Sequence, residues 1–174
     1  MSSQSRMKTI KTITQVKSNQ QCDNKRQALS QIKRIDWKSL EFRTKNQKTF
    51  YRTIGRNDVT FSVGPAGCGK TYLATHYALK NLAQGKYENM IITKPLVEVD
   101  GEKLGFLPGD IDEKTAPYMM SLYYNMEQII GKERLDVLKE TGVIKVIPLA
   151  YMRGLTLTDS IVVLDEAQNA TPSQ

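Results

Sequence analysis

The sequence predicts an α/β fold, three layers deep (α/β/α) with a mostly parallel central sheet, and three observations predict it. Short β-rich runs alternate with helical patterns from residue 44 onward, which is how strands joined by crossover helices read in sequence. A glycine-rich turn at 64–71 sits between an apolar run and a helical pattern. A second apolar run, 161–164, ends in two acids, Asp165 and Glu166.

Taken in order, residues 1–24 are rich in Ser, Thr, Gln and Lys and hold no aromatic residue, so burial there does not offset the entropy of ordering the chain. The expected organisation is a basic, largely disordered extension over 1–43 and a core over 44–174. The run 59–63 predicts the first strand. Residues 71–84, with Leu73, Ala74, Tyr77, Ala78, Leu79 and Leu82 near helical spacing, predict a helix stopped by Gly85. The run 89–93 predicts the next strand. Pro95, Gly101, Gly105, Pro108 and Gly109 make 94–110 a long structured loop, and loops of that length usually work. Helices are expected over 113–130 and 132–140, then strands at 143–147 and 161–164 with apolar faces on both sides.

Composition narrows the function classes. The chain has 174 residues, 40% of them hydrophobic, which suits one modest domain plus a tail and excludes a multidomain enzyme. Two cysteines, Cys22 and Cys68, and one histidine, His76, speak against a zinc site or a disulfide framework and for a reducing, cytoplasmic setting. No run approaches the ~18 apolar residues of a membrane span, and no apolar leader follows the basic start. Residues 1–60 hold 14 Lys or Arg against 4 acids and the remainder 11 against 14, giving +10 and then −3. A basic arm of this kind either lies along nucleic-acid phosphates or is a solvated tail.

Residues 64–71 read Gly-Pro-Ala-Gly-Cys-Gly-Lys-Thr, the G-x-x-x-x-G-K-[ST] pattern in its expected strand-to-helix context. Glycines let successive backbone N–H groups turn inward around anionic oxygens, and the helix that follows adds its positive end. Lys70 is expected to neutralise the β and γ phosphates of ATP, and the Thr71 hydroxyl to hold Mg²⁺, a hard cation that takes oxygen ligands. Gly64, Pro65, Ala66, Gly67, Cys68, Gly69, Lys70, Thr71 and the adjoining Tyr72 make up the expected nucleotide contacts. Asp165, at the end of the 161–164 strand, is placed as the second Mg²⁺ ligand, through a water. Glu166 is placed to orient and deprotonate an attacking water. Lys70, Asp165 and Glu166 are thus the expected catalytic groups.

With both halves in hand, the sequence resembles the PhoH-like family of P-loop ATPases. Four blocks carry the resemblance: GPAGCGKTYLA at 64–74, ITKPLVEVDGEKLGFLPGD at 92–110, IPLAYMRGLTL at 147–157 and VLDEAQNATPSQ at 163–174. It implies a P-loop NTPase with a RecA-like core related to superfamily 1 helicases, ATP binding, ATP hydrolysis, and for some members a role on RNA or single-stranded DNA. It also gives Gln47, in Thr44-Lys45-Asn46-Gln47, a place against the adenine edge, and Gln168 a place as a γ-phosphate sensor. By analogy with RecA-like sites that borrow a cation from a neighbour, it implies a homo-oligomer.

Three departures from the family pattern qualify these expectations. Cys68 stands where the family usually has Thr, a small side chain facing away from the cradle and open to oxidation. Arg153-Gly154-Leu155 stands where the family typically reads Arg-Gly-Arg, which removes a cation that would stabilise transition-state charge and predicts weak turnover. Gln174 follows Glu166 by only eight positions, so the core is expected to be incomplete after the acidic strand and to expose apolar surface and a strand edge. The leading expectation is a Mg²⁺-dependent ATPase acting on or near single-stranded nucleic acid. Its alternative is a nucleotide-binding module without significant turnover. A small-molecule kinase shares the loop but has no need of Glu166 beside Asp165.

Overall fold

The computed structural model describes residues 20, 22–37, 40–96 and 111–174, with the side chains of 111–115 left out. The helices are α1 (22–33), α2 (Lys45–Ile54), α3 (Lys70–Ala83), α4 (Ile111–Ile130) and α5 (Lys132–Glu140). The strands are β1 (Asn89–Thr93), β2 (Ile144–Val146) and β3 (Ser160–Leu164). They form one parallel sheet in the order β2-β1-β3, with Met90 opposite Ile144 on one side and Ile161 on the other.

Parallel neighbours require crossovers, and here α4 and α5 carry the chain from β1 to β2, after which it recrosses β1 to lay down β3. The strand order therefore reverses at β1. A crevice opens at such a point, outside the carboxyl ends of the strands, and is where open α/β sheets place ligands. Thr93 and Asp165 meet there, the Asp165 N–H donating to the Thr93 carbonyl at 2.8 Å.

The core sits between α3, α4, α5 and β1. Met119, Leu122, Met126 and Ile130 of α4 follow one another at helical spacing and are all buried, the stripe that a core-facing helix needs. They meet Leu79 and Leu82 of α3, Met90 and Ile92 of β1, and Leu135 and Leu138 of α5. Each such side chain contributes about 1.5–3 kcal/mol by leaving water. α3 ends as expected, with Gly85 in the left-handed conformation at φ +72° just beyond it.

Several expectations need correction. Residues 22–33, placed within a largely disordered extension, form α1, and its Ala28 and Ile32 belong to the core cluster. Leu29, Ile35 and Trp37 pack against the same cluster. The 59–63 run is not a strand: it has no ladder partner among the described residues. Val59, Phe61 and Val63 are 72, 85 and 98% exposed. β-propensity reports fitness for a half-buried pleated surface, and no such surface lies against this segment. β3 is not covered on both faces either, since Val162 and Leu164 are 41 and 43% exposed. After Glu166 the chain makes a 3₁₀ turn, Ala167–Asn169. Of the 94–110 loop, 97–110 lies outside the described residues. Among the described residues no helix is long and apolar enough to cross a membrane.

Candidate functional site

The glycine-rich loop leads straight into α3. Gly67 and Gly69 hold φ of +75° and +86°, backbone conformations that a side chain at either position would strain. Gly69 is also the N-cap of α3, and a Cβ there would lie 3.4 Å from the Gln47 amide nitrogen. Left-handed glycines ahead of a helix N-terminus are the backbone conformation in which successive N–H groups can converge on anionic oxygens.

Lys70 opens α3 and reaches back over the loop. Its Nζ donates to the carbonyls of Gly64 and Pro65, both at 2.8 Å, and lies 3.8 Å from Cys68 Sγ. The ammonium is thus held by the loop it is expected to serve. Next to it, the Thr71 hydroxyl donates to Asp165 Oδ1 at 2.6 Å. This bond joins residues 94 positions apart and brings the two sequence motifs into one site at the crevice between β1 and β3. Among the described residues no three His, Cys, Asp or Glu side chains cluster as a metal cage. A hydroxyl and one carboxylate are instead the sparse, hard-oxygen donor set on which Mg²⁺ is usually held beside phosphates.

Glu166 follows in the left-handed conformation, φ +51°, a backbone state that costs on the order of 1–3 kcal/mol for a residue with a side chain. Its carboxylate accepts from the Gln168 amide, and both residues are exposed. Gln168, given a place as a γ-phosphate sensor by the resemblance, is bonded here to Glu166.

Gln47 also reaches the loop. Its Nε2 donates to the Cys68 carbonyl at 3.0 Å, while its Oε1 accepts from the Arg43 N–H at 2.8 Å. The adenine-edge role expected of it would require those bonds to be exchanged. Thr44 is the N-cap of α2, accepting from the Gln47 N–H at 3.2 Å. The Thr-x-x-Gln spacing is that of a capping box, and through Gln47 the start of α2 is tied to the loop. Tyr72 projects from α3 with its ring 6.5 Å from that of His76. Arg153 and Leu155 are exposed beyond the short turn Leu149–Met152.

Sequence reasoning missed an aromatic cluster behind the loop. Tyr51 of α2 shares a hydrogen bond with His76 Nδ1 of α3 at 2.9 Å, and its ring packs on Phe42 and Tyr77 at 5.3 and 5.2 Å. Burial, with a lesser contribution from Lys80, lowers the His76 pKa to about 4. Burial, with Tyr77, raises that of Tyr51 to about 12. Both groups are therefore neutral at pH 7, and the pair ties α2 to α3. Aromatic residues at Phe42 and Tyr51, either side of the Thr44 cap, were the available signal.

The two motifs, joined at one crevice of a parallel α/β sheet, agree with what comparison with known proteins finds. A family profile described as PhoH-like protein matches residues 39–174. The chain belongs to the PhoH-like protein family. It is 48% identical over 137 residues to the PhoH-like protein of Bacillus subtilis (strain 168), covering 79% of this chain and 43% of that protein. It is 48% identical over 132 residues to that of Synechocystis sp., covering 76% and 40%. It is 38% identical over 134 residues to Protein PhoH of Escherichia coli (strain K12), covering 76% and 38%. The chain thus spans about two fifths of the length of these curated relatives. The family is one of P-loop ATP-binding proteins.

Proposed function

We propose that this PhoH-like chain binds ATP at the 64–71 loop and hydrolyses it on or near single-stranded nucleic acid. The observation that carries the reading is the Thr71–Asp165 hydrogen bond, because it unites a phosphate cradle with a carboxylate in one crevice. The backbone N–H groups at the start of α3 receive the phosphate oxygens, and Lys70 leaves the Gly64 and Pro65 carbonyls for the β and γ phosphates. Thr71 and Asp165 are the residues that hold Mg²⁺. When bound, the ion neutralises charge building on the phosphate oxygens. Glu166 accepts the proton of the attacking water, for which its carboxylate must exchange Gln168 for that water.

Turnover by the full chain with and without single-stranded RNA tests this reading. Lys70→Ala is expected to lose ATP binding, and Glu166→Gln to keep binding while turnover falls at least 100-fold, as loss of a catalytic base does. RNA stimulation of the unaltered chain supports the polymer. Unchanged turnover in Glu166→Gln contradicts the role given to that residue.

A second reading, nucleotide binding without significant turnover, is favoured by one arrangement. Glu166 is engaged by Gln168, and Leu155 stands where the family pattern has a second arginine. Bound ATP recovered intact after prolonged incubation decides for it. The chain's assembly into a homo-oligomer is proposed only by analogy with related sites.

A further inference from the structure

Beside the phosphate loop, α2 and Lys80 of α3 line a second feature with Trp37, Leu40 and Phe42: an open cavity of about 380 Å³, within the range of small-ligand sites. Its lining is chemically one-sided. Trp37, Phe42 and Tyr51 supply aromatic surface, and Lys48, Arg52 and Lys80 supply positive charge. Among the described residues no carboxylate lines it. Asp36 and Glu41 neighbour the lining residues in sequence but are not among them.

The position is distinct from the phosphate cradle. Lys80 lies ten residues along α3 from Lys70, about 15 Å at the helical rise. α2 nevertheless serves both places: Gln47 holds the Cys68 carbonyl, and Lys48, Tyr51 and Arg52 face the cavity. The Tyr51–His76 bond and the edge-on packing of Trp37 against His76, at 5.4 Å, hold the aromatic wall in place.

A ligand for this lining must be both flat and anionic. Aromatic surface accepts bases in a sequence-tolerant way when the bases are unstacked, while flanking cations track the backbone. A duplex hides its base faces, so the strand must be single. The first 60 residues carry +10 in formal charge, which complements the same ligand.

We propose that the cavity seats a base of a single-stranded nucleic acid, with Lys48, Arg52 and Lys80 on the adjoining phosphates. The proposal rests on the nucleic-acid reading above and locates it on a face separate from the nucleotide. Through α2, occupancy of the cavity bears on the loop that Gln47 braces.

Trp37 is the chain's single tryptophan, so its fluorescence reports this cavity alone. Titration of the full chain with a 12-residue oligouridylate is expected to quench it, and ATP alone is not. Lys48→Ala with Arg52→Ala is expected to weaken oligonucleotide binding about tenfold and to reduce the salt slope by about 1.4, two single-strand phosphate contacts. ATP affinity stays the same. Tight oligonucleotide binding with unchanged Trp37 emission and an unaffected double variant overturns the cavity assignment and leaves the nucleic-acid reading standing. Absence of binding by the unaltered chain overturns both. Equal quenching by ATP overturns the polymer in favour of a mononucleotide, and equal affinity for inorganic polyphosphate overturns the role of the aromatic wall.

Discussion

The run at 89–93 and the run at 59–63 are similar in sequence character and opposite in fate. Asn89–Thr93 became the central strand, paired on both edges, with Met90, Ile91, Ile92 and Thr93 all buried. Residues 59–63 remain outside the sheet, with Val63 98% exposed. The difference lies in neighbours: β1 has β2, β3 and the α3, α4 and α5 faces around it, whereas the other segment has no strand beside it among the described residues. Apolar, β-forming sequence is permission to join a sheet, and pairing is what converts it into structure. The phosphate loop hangs between the two regimes, anchored by α3 on the side of the core and continuous with the unpaired segment on the other.

The sharpest way to break this contrast is to reduce apolar surface in each region. Leu79→Ala, in the fully buried part of α3, is expected to cost about 2–5 kcal/mol, read as a lowered midpoint in urea unfolding. Acid should act on the same half of the molecule. His76 resists protonation until about pH 4 in the folded chain but accepts a proton near 6.5 when unfolded. The unfolded state therefore binds more protons between those values, so stability is full above about pH 6.5 and falls as pH drops toward about 4. Thermal melts should show a Tm several degrees lower at the acid end, with a shallower dependence in His76→Asn.

Smaller effects sharpen the picture at the boundary. Gly69→Ala forces a side chain into φ +86° against Gln47 and is expected to cost about 1–2 kcal/mol and to weaken ATP binding. Thr44→Ala removes the α2 cap and should cost about 1 kcal/mol, measurable by chemical denaturation, while loosening Gln47 from the loop. Val63→Thr, on the exposed segment, should change stability by less than about 0.5 kcal/mol. A large loss there would show that 59–63 is packed after all.

Much of the fold was legible because periodicity and punctuation agree in it. Gly85 stops α3, and 89–93 and 132–140 were read with the bounds they have. The core-facing stripe of α4 is plain in Met119, Leu122, Met126 and Ile130. What sequence could not show was which apolar runs find partners. Val162 and Leu164 read as buried and stand half in water, while Ala28 and Ile32, in a polar stretch, dock into the core.

At the site, fixed spacing made the loop and the acidic pair readable, and the fold supplied their meeting through Thr71 and Asp165. Gln47 illustrates the limit. Its proximity to the loop was legible, but its bonds to Arg43 and Cys68 depend on how α2 is capped and laid against α3. The aromatic wall of Trp37, Phe42 and Tyr51 comes from two separate stretches and carries no fixed spacing, so only the packed structure assembles it.

The central claim is that the loop and Asp165 form one Mg²⁺-assisted triphosphate site. Calorimetric titration of the full chain with ATP, in Mg²⁺ and in EDTA, tests it most directly. The account predicts saturable binding that weakens in EDTA, disappears in Lys70→Ala and loses its Mg²⁺ dependence in Asp165→Asn. Absence of a binding heat in the unaltered chain, confirmed by absence of protection against thermal unfolding at saturating ATP, would contradict it.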